Sequence, residues 1–162
     1  MDVLDRLLDH DLWATTQLLN LSTSLTDTQL DQDFDIGHRS LRETFVHVID
    51  NIEGWTAVMM GRPDAPQRDD LSMPALADRH ARAYESFAAF ARLVRDEGRL
   101  DETFIDFSEA PMTLGGATLH VILHNEDHRT ELLHILARLN INNVPELDHG
   151  LWDFVRRGLF EG

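Results

Sequence analysis

Two histidines four residues apart, His124 and His128, stand inside a run that has no apolar side chain: His124-Asn125-Glu126-Asp127-His128-Arg129-Thr130-Glu131. Its flanks are apolar, with Leu119, Val121, Ile122 and Leu123 before it and Leu132, Leu133, Ile135, Leu136 and Leu139 after it. A packed helix buries a stripe that recurs every three or four residues. Here the stripe reads Ala117, Val121, His124, His128, Leu132, Ile135, Leu139, so imidazoles stand at two positions where a core calls for Leu or Ile. Four residues of helix turn about 400°, which leaves the rings about 40° apart and one turn above each other. That spacing lets two imidazoles share one metal ion. The competing reading, neutral imidazoles satisfied by hydrogen bonds in a core, suits a lone histidine better than two on one stripe.

His120 extends the series by a further turn, as a ligand, a partner to a ligand or a substrate-facing group. The zinc-protease pattern, with a glutamate directly after the first histidine, does not fit: Glu126 lies two positions after His124, about 200° round the helix. A catalytic metal generally has three protein ligands and an open position, so a third ligand must come from another helix. Four histidines are available. His38 precedes a helix cap and reads as exposed, while His10 and His80 have charged neighbours and read as surface positions. His47 sits inside a helix between Val46 and Val48, about 120° from the centre of the Phe45/Val48/Ile52 stripe. Helical arithmetic leaves His47 open.

The elements that must position these residues are four long helices. The first spans about residues 2–23, with Asp2 as N-cap and Leu4, Leu7, Leu8, Leu12, Ala14, Leu18 and Leu19 giving its period. A short helical segment opens at Thr26-Asp27-Thr28. The second begins at Ser40-Leu41-Arg42-Glu43, a capping box, and runs to Gly61. A polar link at 62–71 leads to Ser72-Met73-Pro74, the cap and first turn of the third helix, which ends at Gly98. Residues 99–114 are irregular or briefly extended, since Thr103 to Phe107 alternates, and Gly115-Gly116 leads into the fourth helix. The tail from Asn140 carries Pro145 and a short amphipathic stretch with Leu151, Trp152, Phe154 and Val155. This pattern predicts an all-α four-helix bundle with a crossover, folded as one domain over residues 1–162.

Composition narrows the chemistry. The absence of cysteine removes disulfides, thiolate ligands and a cysteine nucleophile. Any metal must be held by imidazole and carboxylate, which favours zinc, nickel, iron, cobalt or manganese. All 14 basic residues are arginine, so lysine Schiff-base chemistry is excluded as well. The net charge of −15, with no basic run longer than Arg156-Arg157, argues against nucleic acid as a partner. Neither a membrane span nor the blocks of a signal peptide are present, so a cytoplasmic location is expected.

Several pieces taken together resemble the DinB/YfiT family of metal-dependent four-helix-bundle proteins. They are Trp13-Ala14 in the first helix and Ser40-Leu41-Arg42-Glu43-Thr44-Phe45-Val46-His47, with Trp55 eight residues on. The series continues through His120 to Arg129 and closes at Pro145-Glu146-Leu147-Asp148. The resemblance implies an up-down-down-up bundle in which the link at 62–71 is the crossover between helices 2 and 3. It also implies a trihistidine metal site formed by His47, His124 and His128, and a homodimer. Thr130-Glu131 departs from the Gly-Gln common among relatives, which bears on substrate preference.

Such a metal can polarise a carbonyl, lower the pKa of bound water or activate a substrate thiolate. Relatives include transferases and isomerases that use low-molecular-weight thiols, so the resemblance implies thiol transfer to a small electrophile. The thiol would come from a cosubstrate. The alternative is a non-catalytic metal-binding stress-response bundle, and a third reading keeps the histidines as polar core groups without metal. Arg129, about 100° from its histidine neighbour, is expected to be structural. Asp50 and Asn51, one turn after His47, are candidates to hydrogen-bond the ligand rings, with a solvated helix face as the stronger reading for Asp50.

Overall fold

Local chemistry starts each helix. In α1 (Val3–Ser22), the Asp2 side chain accepts from the Asp5 backbone and Asp5 returns the bond. Thr26 and Gln29 do the same for the one-turn α2 (Asp27–Leu30). Helix α3 (Leu41–Met59) is capped by Ser40, which accepts from the Glu43 N–H at 3.2 Å. Helix α4 (Met73–Asp96) is capped by Ser72 with Pro74 in its first turn. Each cap satisfies one of the N–H groups that a helix start leaves open. The computed structural model describes residues 1–62 and 69–159, so the link expected at 62–71 lies for the most part outside the described residues.

After α4 the chain makes a two-stranded antiparallel hairpin, β1 (Thr103–Ile105) and β2 (Pro111–Thr113), with Phe104 opposite Met112. The all-α expectation thus holds for the long elements, and the alternation at residues 103–107 marks a real, if short, strand. Helix α5 (Leu114–Arg138) starts directly from β2, capped by Thr113. Its first turn is tied to the chain after α4 by Leu114 N–H to Glu102 O (2.9 Å) and Gly115 N–H to Leu100 O (2.8 Å). A Cβ on Gly115 would press on the Leu100 carbonyl at 3.0 Å, so this close approach favours glycine. Helix α6 (His149–Arg156) closes the described chain.

The four long helices pack around one core: α3 against α4 and α5, and α1 against the same two. Phe45, Ile49, Ile52, Leu76, Phe87, Val121, Leu132 and Ile135 are fully buried there. At its middle lies a polar knot. Arg129 of α5, buried itself, forms an ion pair with Asp11 of α1 and reaches Thr15 Oγ1 at 3.1 Å. Asn125 Nδ2 donates to Asp11 Oδ2 at 2.8 Å, and Tyr84 of α4 donates to the Leu8 carbonyl at 2.9 Å. Burial pushes the Asp11 carboxyl up from the ordinary carboxylate range, opposed by Arg129 and Asn125.

This knot corrects the reading of α5. The deepest positions of the polar run are Asn125 and Arg129, each one residue after a histidine. Rotated by about 100° from them, His124 and His128 are half-buried along the edge of the core.

The tail packs back on α1. Arg6 pairs with Asp153 at 2.7 Å, and His10 Nε2 lies 2.9 Å from the Leu147 carbonyl, with its ring against Trp152. His10 is thus half-buried under the tail, where the sequence reading had a surface position. No helix among the described residues is long and apolar enough to cross a membrane.

Candidate metal centre

Helices α3 and α5 run side by side, and their facing edges carry His47 and the His124/His128 pair. The Nε2 atom of His124 lies 3.1 Å from Nε2 of His47 and 3.1 Å from Nε2 of His128. Two nitrogens bound to one ion at about 2.05 Å are about 2.9 Å apart at a right angle and about 3.3 Å apart at the tetrahedral angle. The ring positions agree. With centroids about 3.2 Å from a shared ion, ligands at those two angles have centroids about 4.5 and 5.2 Å apart. The three observed separations are 4.3, 4.6 and 4.9 Å.

His38, expected to be exposed, joins this cluster from the loop between α2 and α3. Nitrogens of His38, His47 and His128 all lie within 4.8 Å of one another, a group that could hold a metal ion. Its ring, however, stacks on His47 with centroids 3.6 Å apart and planes at 23°. That is closer than two rings radiating from one ion can come, by the same arithmetic, so in this conformation His38 lies over His47 rather than beside it as a co-ligand. Backbone turns bring it there: Gly37 has φ +49° and Arg39 φ +74°, both in the left-handed region. A Cβ on Gly37 would collide with the Glu131 carboxylate.

Glu131 has a second contact, at 2.7 Å from His128 Nδ1. A carboxylate only accepts, so Nδ1 carries the proton and donates it to Glu131. In the neutral ring this is the tautomer whose outward Nε2 is bare, the one a ligand needs. The Nδ1 atom of His124 is buried and has no partner among the described residues.

Electrostatics decides what can sit among these nitrogens. Burial lowers His47 to about 4, with His38 and His128 adding to the effect. Burial likewise takes His124 to about 3, helped by His128 and His47, and pushes His38 down, with His128 contributing. Near pH 7 His47 and His124 are therefore neutral, and a single N–H on His124 Nε2 can be donated to only one of its two neighbours at a time. A divalent cation can be shared by all three and fits the all-imidazole donor set.

The other expected residues sort as follows. The His120 ring lies 5.6 Å from His124 and 4.9 Å from Trp55, along the same edge. Asp50 is ion-paired with Arg79 at 2.6 Å, not solvated. His80 is fully buried on α4, with both ring nitrogens unpartnered among the described residues. A signal for this was present, because Leu76, His80, Ala83 and Phe87 form one helical stripe. For His38 no comparable signal exists, since its place depends on the loop.

A helical bundle with converging imidazoles on the edge between two of its helices defines a class of metal-site proteins. The family model of the DinB superfamily matches residues 11–132, and the chain belongs to that superfamily. Its fold is similar to the crystal structure of a DinB-like protein from Bacillus cereus ATCC 10987, with a TM-score of 0.67 and 20% identity. That match covers 85% of this chain and 91% of the other. No curated protein matches the chain.

Proposed function

We propose that the chain is a metal-dependent enzyme whose ion is held by His47, His124 and His128, and that it transfers a low-molecular-weight thiol to a small electrophile. The observation that carries this is the convergence of three Nε2 atoms on one half-buried edge. In the transfer an S–C bond forms, the bond from carbon to the leaving group breaks, and the thiol proton departs with that group. A bound divalent ion supplies Lewis acidity and favours the anionic form of a thiol. The chain contributes the rest. Glu131 holds the His128 tautomer, and burial keeps His47 and His124 neutral. Arg129 is committed to Asp11 and Glu126 rather than to the ion. Within this proposal the helices form an up-down-down-up bundle, supported by the pairing of α1 and α3 each with α4 and α5. Two copies associate, a reading supported by Leu119 and Leu123, 48% and 61% exposed on one edge of α5.

The second reading, a closed non-catalytic metal site, is favoured by one observation: His38 supplies a fourth imidazole. Metal analysis of protein purified without a nickel column separates the two. About one equivalent is expected in the wild type and in His38→Ala, with loss in the alanine variants of His47, His124 and His128. Loss in His38→Ala as well would favour the closed site. Less than about half an equivalent in the wild type would overturn both. Turnover of a thiol with an electrophile, abolished in His128→Ala, would then exclude the non-catalytic reading.

A further inference from the structure

Beside the imidazoles, the same edge carries a row of aromatic rings. His120 is followed by Trp55, met edge-on at 4.9 Å. The hairpin adds Phe107, 5.2 Å from Trp55 at 77°, and Phe104, 6.4 Å from it at 88°. Phe107 lies over the backbone of α3: a Cβ on Gly54 would touch its Cζ at 3.5 Å. Yet 61% of Phe107 is open to solvent. The turn that presents it is built by its neighbour, as Asp106 Oδ1 accepts from the Ser108 and Ala110 N–H groups and the Ser108 hydroxyl. An aromatic side chain at 107 is therefore not needed to make the turn.

The edge is polarised. At the imidazole end the Glu131 carboxylate lies 2.7 Å from His128 Nδ1. Trp55, Phe104 and Phe107 are uncharged, and the neighbouring Asp106 carboxylate is turned into its own loop, on the Ser108 and Ala110 N–H groups. Along this row a flat neutral group finds faces and edges of rings.

We infer that this row is the subsite for the electrophile, which carries a flat, uncharged aromatic or conjugated group lying against Trp55 and Phe107. Its reacting end faces the imidazoles. This rests on the metal-dependent reading above.

Two hydroxamates test it, because both reach a metal through the same group and only one has a phenyl ring. Benzohydroxamate and acetohydroxamate are titrated calorimetrically into metal-loaded wild type and Phe107→Ala. The wild type is expected to prefer benzohydroxamate by about tenfold, and Phe107→Ala to reduce that preference to about twofold. Metal content and helical circular dichroism of the variant should be unchanged. Equal binding of the two probes, or a preference that survives Phe107→Ala, overturns the subsite and leaves the metal reading standing. If neither probe binds, the open metal site falls and the subsite with it.

Discussion

At the scale of single residues, the proposed site depends on side chains that never touch an ion. Glu131 accepts from His128 and fills the space beside Gly37, so it fixes a tautomer and a loop together. Removing such a partner typically costs 10–100-fold in metal affinity. Glu131→Ala is expected to weaken metal binding by about that factor in a chelator competition titration, with helical content retained. Glu131→Gln keeps an acceptor opposite Nδ1 and should recover most of it. Equal affinities in all three proteins would remove Glu131 from the site. The His124/His128 pair was legible in the sequence because spacing on one helix is a local property. His38 was not, because two left-handed backbone turns and a contact nearly a hundred residues away in sequence place it.

At the scale of elements, caps were the most legible feature: Asp2, Ser40 and Ser72 each start the helix their side-chain chemistry predicts. What misled was the stripe of α5, since an apolar pattern cannot show that Asn125 and Arg129 are buried against Asp11 of another helix. This pair joins α1 to α5. Arg129→Leu would leave Asp11 buried and unpaired, and is expected to cost about 3–5 kcal/mol in chemical denaturation. Adding Asp11→Leu should restore much of the loss. A cost under about 1 kcal/mol for the single variant would mean the carboxyl is neutral without its partner.

His80 gives α4 a pH-dependent element. Burial, with Arg129 adding to it, lowers its pKa to about 4, against about 6.5 in an unfolded chain. As the folded value is the lower one, protonation favours the unfolded chain. Stability is full above pH 6.5 and is lost as the pH falls toward 4, by on the order of 3 kcal/mol from this residue. His80→Leu should flatten that part of the stability profile and hold or raise the denaturation midpoint at pH 7, because two buried nitrogens without partners disappear. An unfolding free energy lower by about 2 kcal/mol or more would show that the imidazole makes an essential bond.

At the scale of the whole molecule, charge and packing set separate terms. The arginines are largely matched to acids, as in Arg42 with Asp27 and Asp31, Arg92 with Asp9, and Arg138 with Asp35. The remaining excess is acidic, with a net charge of −15. No binding of a short DNA duplex is expected by fluorescence anisotropy even at low salt. The core meanwhile closes on Phe45, Ile52, Leu132 and Ile135 without using His47, His124 or His128. Denatured protein diluted into buffer containing a strong chelator should therefore regain its full helical signal, and failure to do so would make the ion part of the fold. Since the packed stripe passes beside the imidazoles, that recovery would make folding independent of metallation. Under the proposed metal-dependent reading, the ion would then be taken up by a protein already folded, and the surrounding pool of ions would bear on which one it is.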